Sequence, residues 1–216
     1  MRHISNDKYT IAWFKLAECV AKGEKEKAFG VYRLLMHSIE DQAYAYQLEG
    51  DLLGAFSDER AVEKYLHAAH LYYQNNRYKE AAALYEELII QIPEERYINR
   101  LIDMYKHHKN KNMCYAKLIK LADLLVTKEL YIQTLPIVQE LENSMHTDVV
   151  VALYTKIICG FIKAESEPSI IEPLLYKALD YIIEQNNYLQ IFLSTIEQEN
   201  PYWYQKAQRY LANNKD

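Results

Sequence analysis

Residues 65–93, YLHAAHLYYQNNRYKEAAALYEELIIQIP, read as two helices joined by a short polar turn. Tyr65, Ala69 and Tyr72 follow Val62 at three- and four-residue spacing, with Ala61 and Ala68 beside them. Tyr78, Ala81, Ala82, Tyr85, Leu88 and Ile89 keep the same period, and Glu63, Lys64, Lys79 and Glu80 fall outside both stripes. Two apolar faces of helical period, separated only by Gln74-Asn75-Asn76-Arg77, imply an antiparallel helix pair.

Working outward, the same alternation runs along the whole chain. Helices are expected over 8–22, 25–39, 42–56, 59–74, 78–92, 95–108, 111–127, 129–143, 147–164, 169–185, 187–198 and 201–213. Cap and turn residues separate them: Lys22-Gly23-Glu24, Ser57-Asp58, Pro93-Glu94, Asn110, Ser144, Ser166-Glu167-Pro168 and Gln185-Asn186-Asn187. Ser57 or Asp58 can accept from the free N–H groups that open the fourth helix, and Pro93 stops the fifth. Pro136 falls inside a helix, where its missing N–H predicts a kink or a split. No linker or low-complexity stretch divides the chain, so residues 1–216 are read as one domain.

Composition narrows the function classes. Glycine and proline number five each, too few for the turns of an all-β fold. The net charge of −5 lacks the basic footprint of a nucleic-acid binder. The one basic run, Lys106-His107-His108-Lys109-Asn110-Lys111, suits a helix end that its cations complement. Cys19, Cys114 and Cys159 are far apart and odd in number, which suits a reducing compartment and gives no CxxC metal site. Met1-Arg2-His3-Ile4-Ser5-Asn6-Asp7 has no apolar run behind it, so no secretory leader is expected. The most apolar segment, Val149 to Ile162, carries Lys156 and is shorter than the roughly twenty residues a membrane span needs. A cytoplasmic location is the expectation. Twenty tyrosines against five phenylalanines give many helix seams a ring with a polar tip.

The quoted stretch resembles the tetratricopeptide repeat (TPR). That family pairs helices with a large residue early, a small one at their crossing, and an aromatic-Ala-aromatic spacing in the second helix. Tyr65, Ala69, Tyr72, Tyr78, Ala81, Tyr85 and Pro93 fall at those positions. AWFKLAECVAKGEKEKAFGVYRLL is similar through Trp13, Leu16, Ala17, Gly23, Ala28 and Tyr32. LEGDLLGAFSDERAVEKYLHAA is similar through Ala61, Tyr65 and Ala68. The likeness covers residues 9–93; residues 94–200 keep the rhythm of helix pairs without the signature, and 201–213 reads as a capping helix with Trp203 and Tyr210 over the last pair. The helix 59–74 serves as second helix in one match and first in the next, so the array is expected to be irregular. The resemblance implies an all-α, right-handed solenoid of about twelve helices in antiparallel pairs. It also implies a protein-binding role.

Catalytic and ligand motifs are missing from the sequence. There is no GxGxxG, P-loop or GxSxG pattern. His67 and His70, with Glu63 one turn before, could share a metal, but no second ExxH accompanies them, as a helical dimetal site requires. Surface histidines are the commoner case, and no cofactor or metal is expected. Glu86-Glu87 and Glu94-Glu95 read as solvated faces. The basic clamp by which some TPR proteins hold a terminal carboxylate is missing: Phe14 and Glu18, Tyr46 and Gly50, and Leu66 and His70 stand there instead. The expected function is a non-enzymatic adaptor binding a peptide or helix of another protein, with Phe14, Tyr46, His70 and Tyr73 facing the groove. Self-assembly through the open ends of the array is the alternative, and a helical metal-binding protein a third.

Overall fold

The computed structural model describes residues 4–143, 146–183 and 187–214. The expected breaks at Ser144 and Gln185-Asn186, and the first three residues of the segment read for a leader, lie outside them. Among the described residues the protein is all-α, with twelve helices: α1 (Ile4–Ala21), α2 (Lys25–Met36), α3 (Gln42–Ala55), α4 (Arg60–Gln74), α5 (Tyr78–Gln91), α6 (Glu95–Lys106), α7 (Lys111–Thr127), α8 (Tyr131–Glu142), α9 (Thr147–Lys163), α10 (Pro168–Ile183), α11 (Leu189–Glu199) and α12 (Pro201–Asn213). Each expected helix is found; the largest difference is the start of α1, at Ile4 rather than residue 8.

The connections are built from a recurring closure. Gly23, Ser57, Asn76, Glu129 and Glu165 each have positive φ just after a helix. The next residue's N–H then bonds back to a carbonyl five positions earlier: Glu24 to Cys19, Asp58 to Leu53, Arg77 to Tyr72, Leu130 to Leu125 and Ser166 to Phe161. This is the Schellman closure, which satisfies carbonyls at the helix end and turns the chain sharply. Helix starts are capped as the residue types predict. Asp41 accepts from the Ala43 and Tyr44 N–H groups, Asn110 from Met113, and Asn200 from Tyr202. Asp58 accepts from the Arg60 N–H at 3.1 Å.

Pro136 does not split its helix. It is the sixth residue of α8, which runs unbroken from Tyr131 to Glu142. The carbonyl it leaves without a partner belongs to Ile132, an exposed residue, where water can bond it.

The chain forms two compact units, Met1–Ile92 with Asp103–His108, and Pro93–Ile102 with Lys109–Asp216. In the first, Leu16, Cys19, Ala28, Val31, Tyr32, Leu35 and Leu52 form a core with Trp13, Phe29 and Phe56 packed against it. Beside it, α3 and α4 are antiparallel: Gly54 approaches Ala61, Gly50 lies under the Tyr65 ring, and Tyr46 stacks on His67. Ala68, Ala69 and Ala81 are fully buried, and small residues at a crossing let helix backbones approach closely.

In the second unit α9 is the central helix, touching α7, α8, α10 and α11. Ten of its residues from Val150 to Ile162 are buried. Next neighbours in sequence are antiparallel here too: Tyr131 of α8 packs on Phe161, and Glu142 accepts from the Tyr154 hydroxyl. Alternate helices are parallel. Tyr115 meets His146 and Asp123 meets Lys156 from α7 to α9, while Glu172 meets Lys206 and Tyr176 stacks on Tyr210 from α10 to α12. Trp203 of α12 is buried.

Candidate protein-binding surfaces

Of the four residues expected to face a groove, Phe14 stands out from α1 with 74% of its surface exposed, and His70 is exposed on α4. Tyr46 is half-buried on α3. Its ring stacks on His67 at 5.4 Å, with the Lys64 ammonium 5.6 Å from its centroid. Tyr73 is also half-buried and belongs to a second cluster, edge-on to Tyr78 at 5.4 Å and to His107 at 6.5 Å. His107 lies flat on Tyr78 at 4.6 Å. Tyr46 thus meets His67, while Tyr73 packs in an aromatic group of its own.

His67 and His70 do not share their surroundings: His67 is held between Tyr46 and Glu63, whose carboxylate is 3.6 Å from Nε2. Among the described residues no group of three or more His, Cys, Asp or Glu side chains is arranged to hold a metal ion. A cleft of about 440 Å³ in the same unit is strongly polar, and several of its charges are held in ion pairs. Lys25 and Arg60 both grip Asp58, and Lys64 pairs with Glu49 at 3.1 Å.

The second unit carries a surface of different character. Beyond Thr147 and Val149 at its start, the residues of α9 that escape burial are Asp148, Ala152, Thr155, Lys156 and Lys163. With Val126 of α7, Tyr131, and Tyr188, Ile191 and Thr195 at and on α11, they line an open, mostly apolar trough of about 680 Å³. Ile191 is 65% exposed at its edge. Both lining lysines are neutralised from adjacent helices, Lys156 by Asp123 at 3.0 Å and Lys163 by Glu199 at 3.1 Å. The hydrogen bond from Lys163 to Glu199 raises the lysine's pKa.

Gly160 and Cys159 both line the trough. A Cβ at Gly160 would collide with the Tyr131 ring, so this glycine lets α8 and α9 close together. Cys159 lies beside it, with its thiol pushed up to about 11 by burial. A thiol held neutral is a poor nucleophile at physiological pH. The trough therefore offers apolar area with balanced charge at its rim, a surface suited to binding. The sequence held one partial signal, the apolar run of α9 broken by Thr155 and Lys156. The other walls of the trough come from helices far apart in the chain. No family model and no curated protein matches this chain.

Proposed function

We propose that this chain is a non-catalytic scaffold of TPR-like helix pairs, forming a solenoid that binds a segment of another protein in the cytoplasm. The observation that carries the reading is the trough of the second unit: mostly apolar, open along one side, and lined by the parallel helices α7 and α9 together with α11. An amphipathic helix fits such a surface, because it can bury one face and leave the other in water. A small apolar ligand would instead need enclosure on most sides. The layered contacts of α7 with α9 and of α10 with α12 support the solenoid part of the proposal, since stacked helix pairs place alternate helices parallel.

Phe14, Tyr46, His70 and Tyr73 are the corresponding binding residues of the first unit. A tagged pull-down from source-cell lysate, followed by crosslinking mass spectrometry, tests the reading. Wild type runs beside Ile191→Glu and beside the double variant Tyr46→Ala, His70→Ala. A partner held by wild type, lost with Ile191→Glu and crosslinked to α9 or α11 is the expected result. Loss in the double variant alone would move the site to the first unit. A chain that enriches no protein above an unrelated helical control would overturn the scaffold reading.

A further inference from the structure

Two features of this chain are unmatched. Along α1, Ile11 and Phe14 project into solvent with 66% and 74% of their surface exposed, three residues apart and therefore on one face. Lys15 adjoins Phe14 and lies one turn after Ile11; it makes no ion pair among the described residues, whereas Glu18 and Lys22 pair with each other at 2.5 Å. The α1 stripe is thus two large apolar side chains and one cation outside any ion pair among the described residues. The trough of the second unit is the counterpart. Its lysines are matched by Asp123 and Glu199, and Asp148 is its one lining charge without an ion pair among the described residues.

We propose that the α1 stripe of one copy docks in the α7–α9–α11 trough of a second copy, with Ile11 and Phe14 on the apolar floor and Lys15 toward Asp148. Both halves of the fit, apolar against apolar and cation against anion, are carried by the same chain. The contact is heterologous: each copy offers a stripe and a trough, so the association can continue from copy to copy. A single helix face buries less than the roughly 1,600 Å² of a standard interface, which makes the complex transient. This goes beyond the scaffold reading, because the same trough would be shared between a partner segment and a second copy.

Sedimentation velocity over a concentration series tests the proposal, using the full chain and two variants at exposed positions, Phe14→Glu and Ala152→Glu. Circular dichroism melts verify that each variant keeps the wild-type fold, and Ile191→Glu replaces Ala152→Glu should the latter not fold. Wild type should grow in mass with concentration. Each variant alone should remain monomeric, with association weakened at least tenfold. Mixing the two should restore association but stop at a one-to-one pair, since only one intact stripe and one intact trough are then present. A wild type that stays monomeric across the series rejects the proposal and leaves the scaffold reading standing. Association that survives in either variant, or that mixing does not restore, rejects it equally.

Discussion

Gly50 lies on α3 with the Tyr65 ring of α4 so close that a Cβ there would stand 2.7 Å from two ring carbons. Tyr65 is buried and cannot swing aside freely. Gly160 stands in the same relation to Tyr131, while Gly30 on α2 has nothing within 4 Å of its Cβ position. Alanine in place of a helix-interior glycine gains roughly 0.5–1 kcal/mol from backbone entropy. Overpacking a tight contact costs about 1–3 kcal/mol. The two terms separate the sites. Gly30→Ala should melt above wild type, and Gly50→Ala and Gly160→Ala below it, by circular dichroism; a Gly50→Ala protein as stable as Gly30→Ala would show that the close approach is not maintained. Cys159 gives a second check at this scale. A pKa of about 11 against an ordinary value of 9.0 cuts its thiolate fraction at pH 8 by about a hundredfold. Native protein should therefore react with a maleimide far more slowly than urea-unfolded protein at Cys159, followed by mass spectrometry of its peptide. Rapid native labelling there would contradict its burial.

At the scale of the element, the closures after α7 and α9 place Glu129 and Glu165 at φ of 59° and 51°. The left-handed region costs an ordinary L-residue roughly 1–2 kcal/mol and glycine almost nothing. Glu129→Gly and Glu165→Gly should each raise the unfolding free energy by up to about 1 kcal/mol, and the urea midpoint with it, although glycine usually destabilises. A lowered midpoint would mean that the carboxylates contribute more than the backbone strain costs. These closures also show why the helices were legible in the sequence and the turns only in outline. A helix announces itself through a period repeated over a dozen residues, as in α4 and α5. The sequence marks Gln74-Asn75-Asn76-Arg77 as a turn, but Glu129 and Glu165 carry no turn signature, and their left-handed backbone follows from the helices they join. Pro136 shows the converse limit: the residue predicts disruption, yet α8 runs on past it, and Ile132, one turn earlier, is an exposed residue. Of the residues read from the sequence as groove-facing, Phe14 is exposed on α1. The trough was not legible, since Val126, Ala152 and Ile191 meet only after α7, α9 and α11 have packed, and no local spacing records that.

For the whole molecule, the titrating groups bound stability from both sides of neutrality. In the first unit, hydrogen bonding to Arg77 lowers the pKa of Asp41, and Arg60 followed by Lys25 lowers that of Asp58. In the second, Tyr176 and then Lys206 lower that of Glu172. A carboxyl with a folded pKa below its unfolded value of about 4 contributes full stability above that value, and the contribution fades as pH falls through the folded pKa. Tyr32, Tyr65 and Tyr154 behave oppositely. Burial raises each of them first, and Glu49, Asp51 and Glu142 respectively raise them further. A phenol that holds its proton more tightly when folded loses stability as pH rises above the unfolded value of about 10. Cys159 adds to this alkaline limb. Urea midpoints should therefore be flat between about pH 5 and 8, fall toward acid below about pH 4, and fall again above about pH 9. Asp41→Asn isolates one contributor to the acid limb. Asparagine still accepts from the Ala43 and Tyr44 N–H groups as an N-cap, so the helix start is retained while the charge facing Arg77 is lost. That variant should be weaker than wild type at pH 7 and converge on it near pH 2. Parallel curves with a constant offset would assign the loss to the cap rather than to the ion pair.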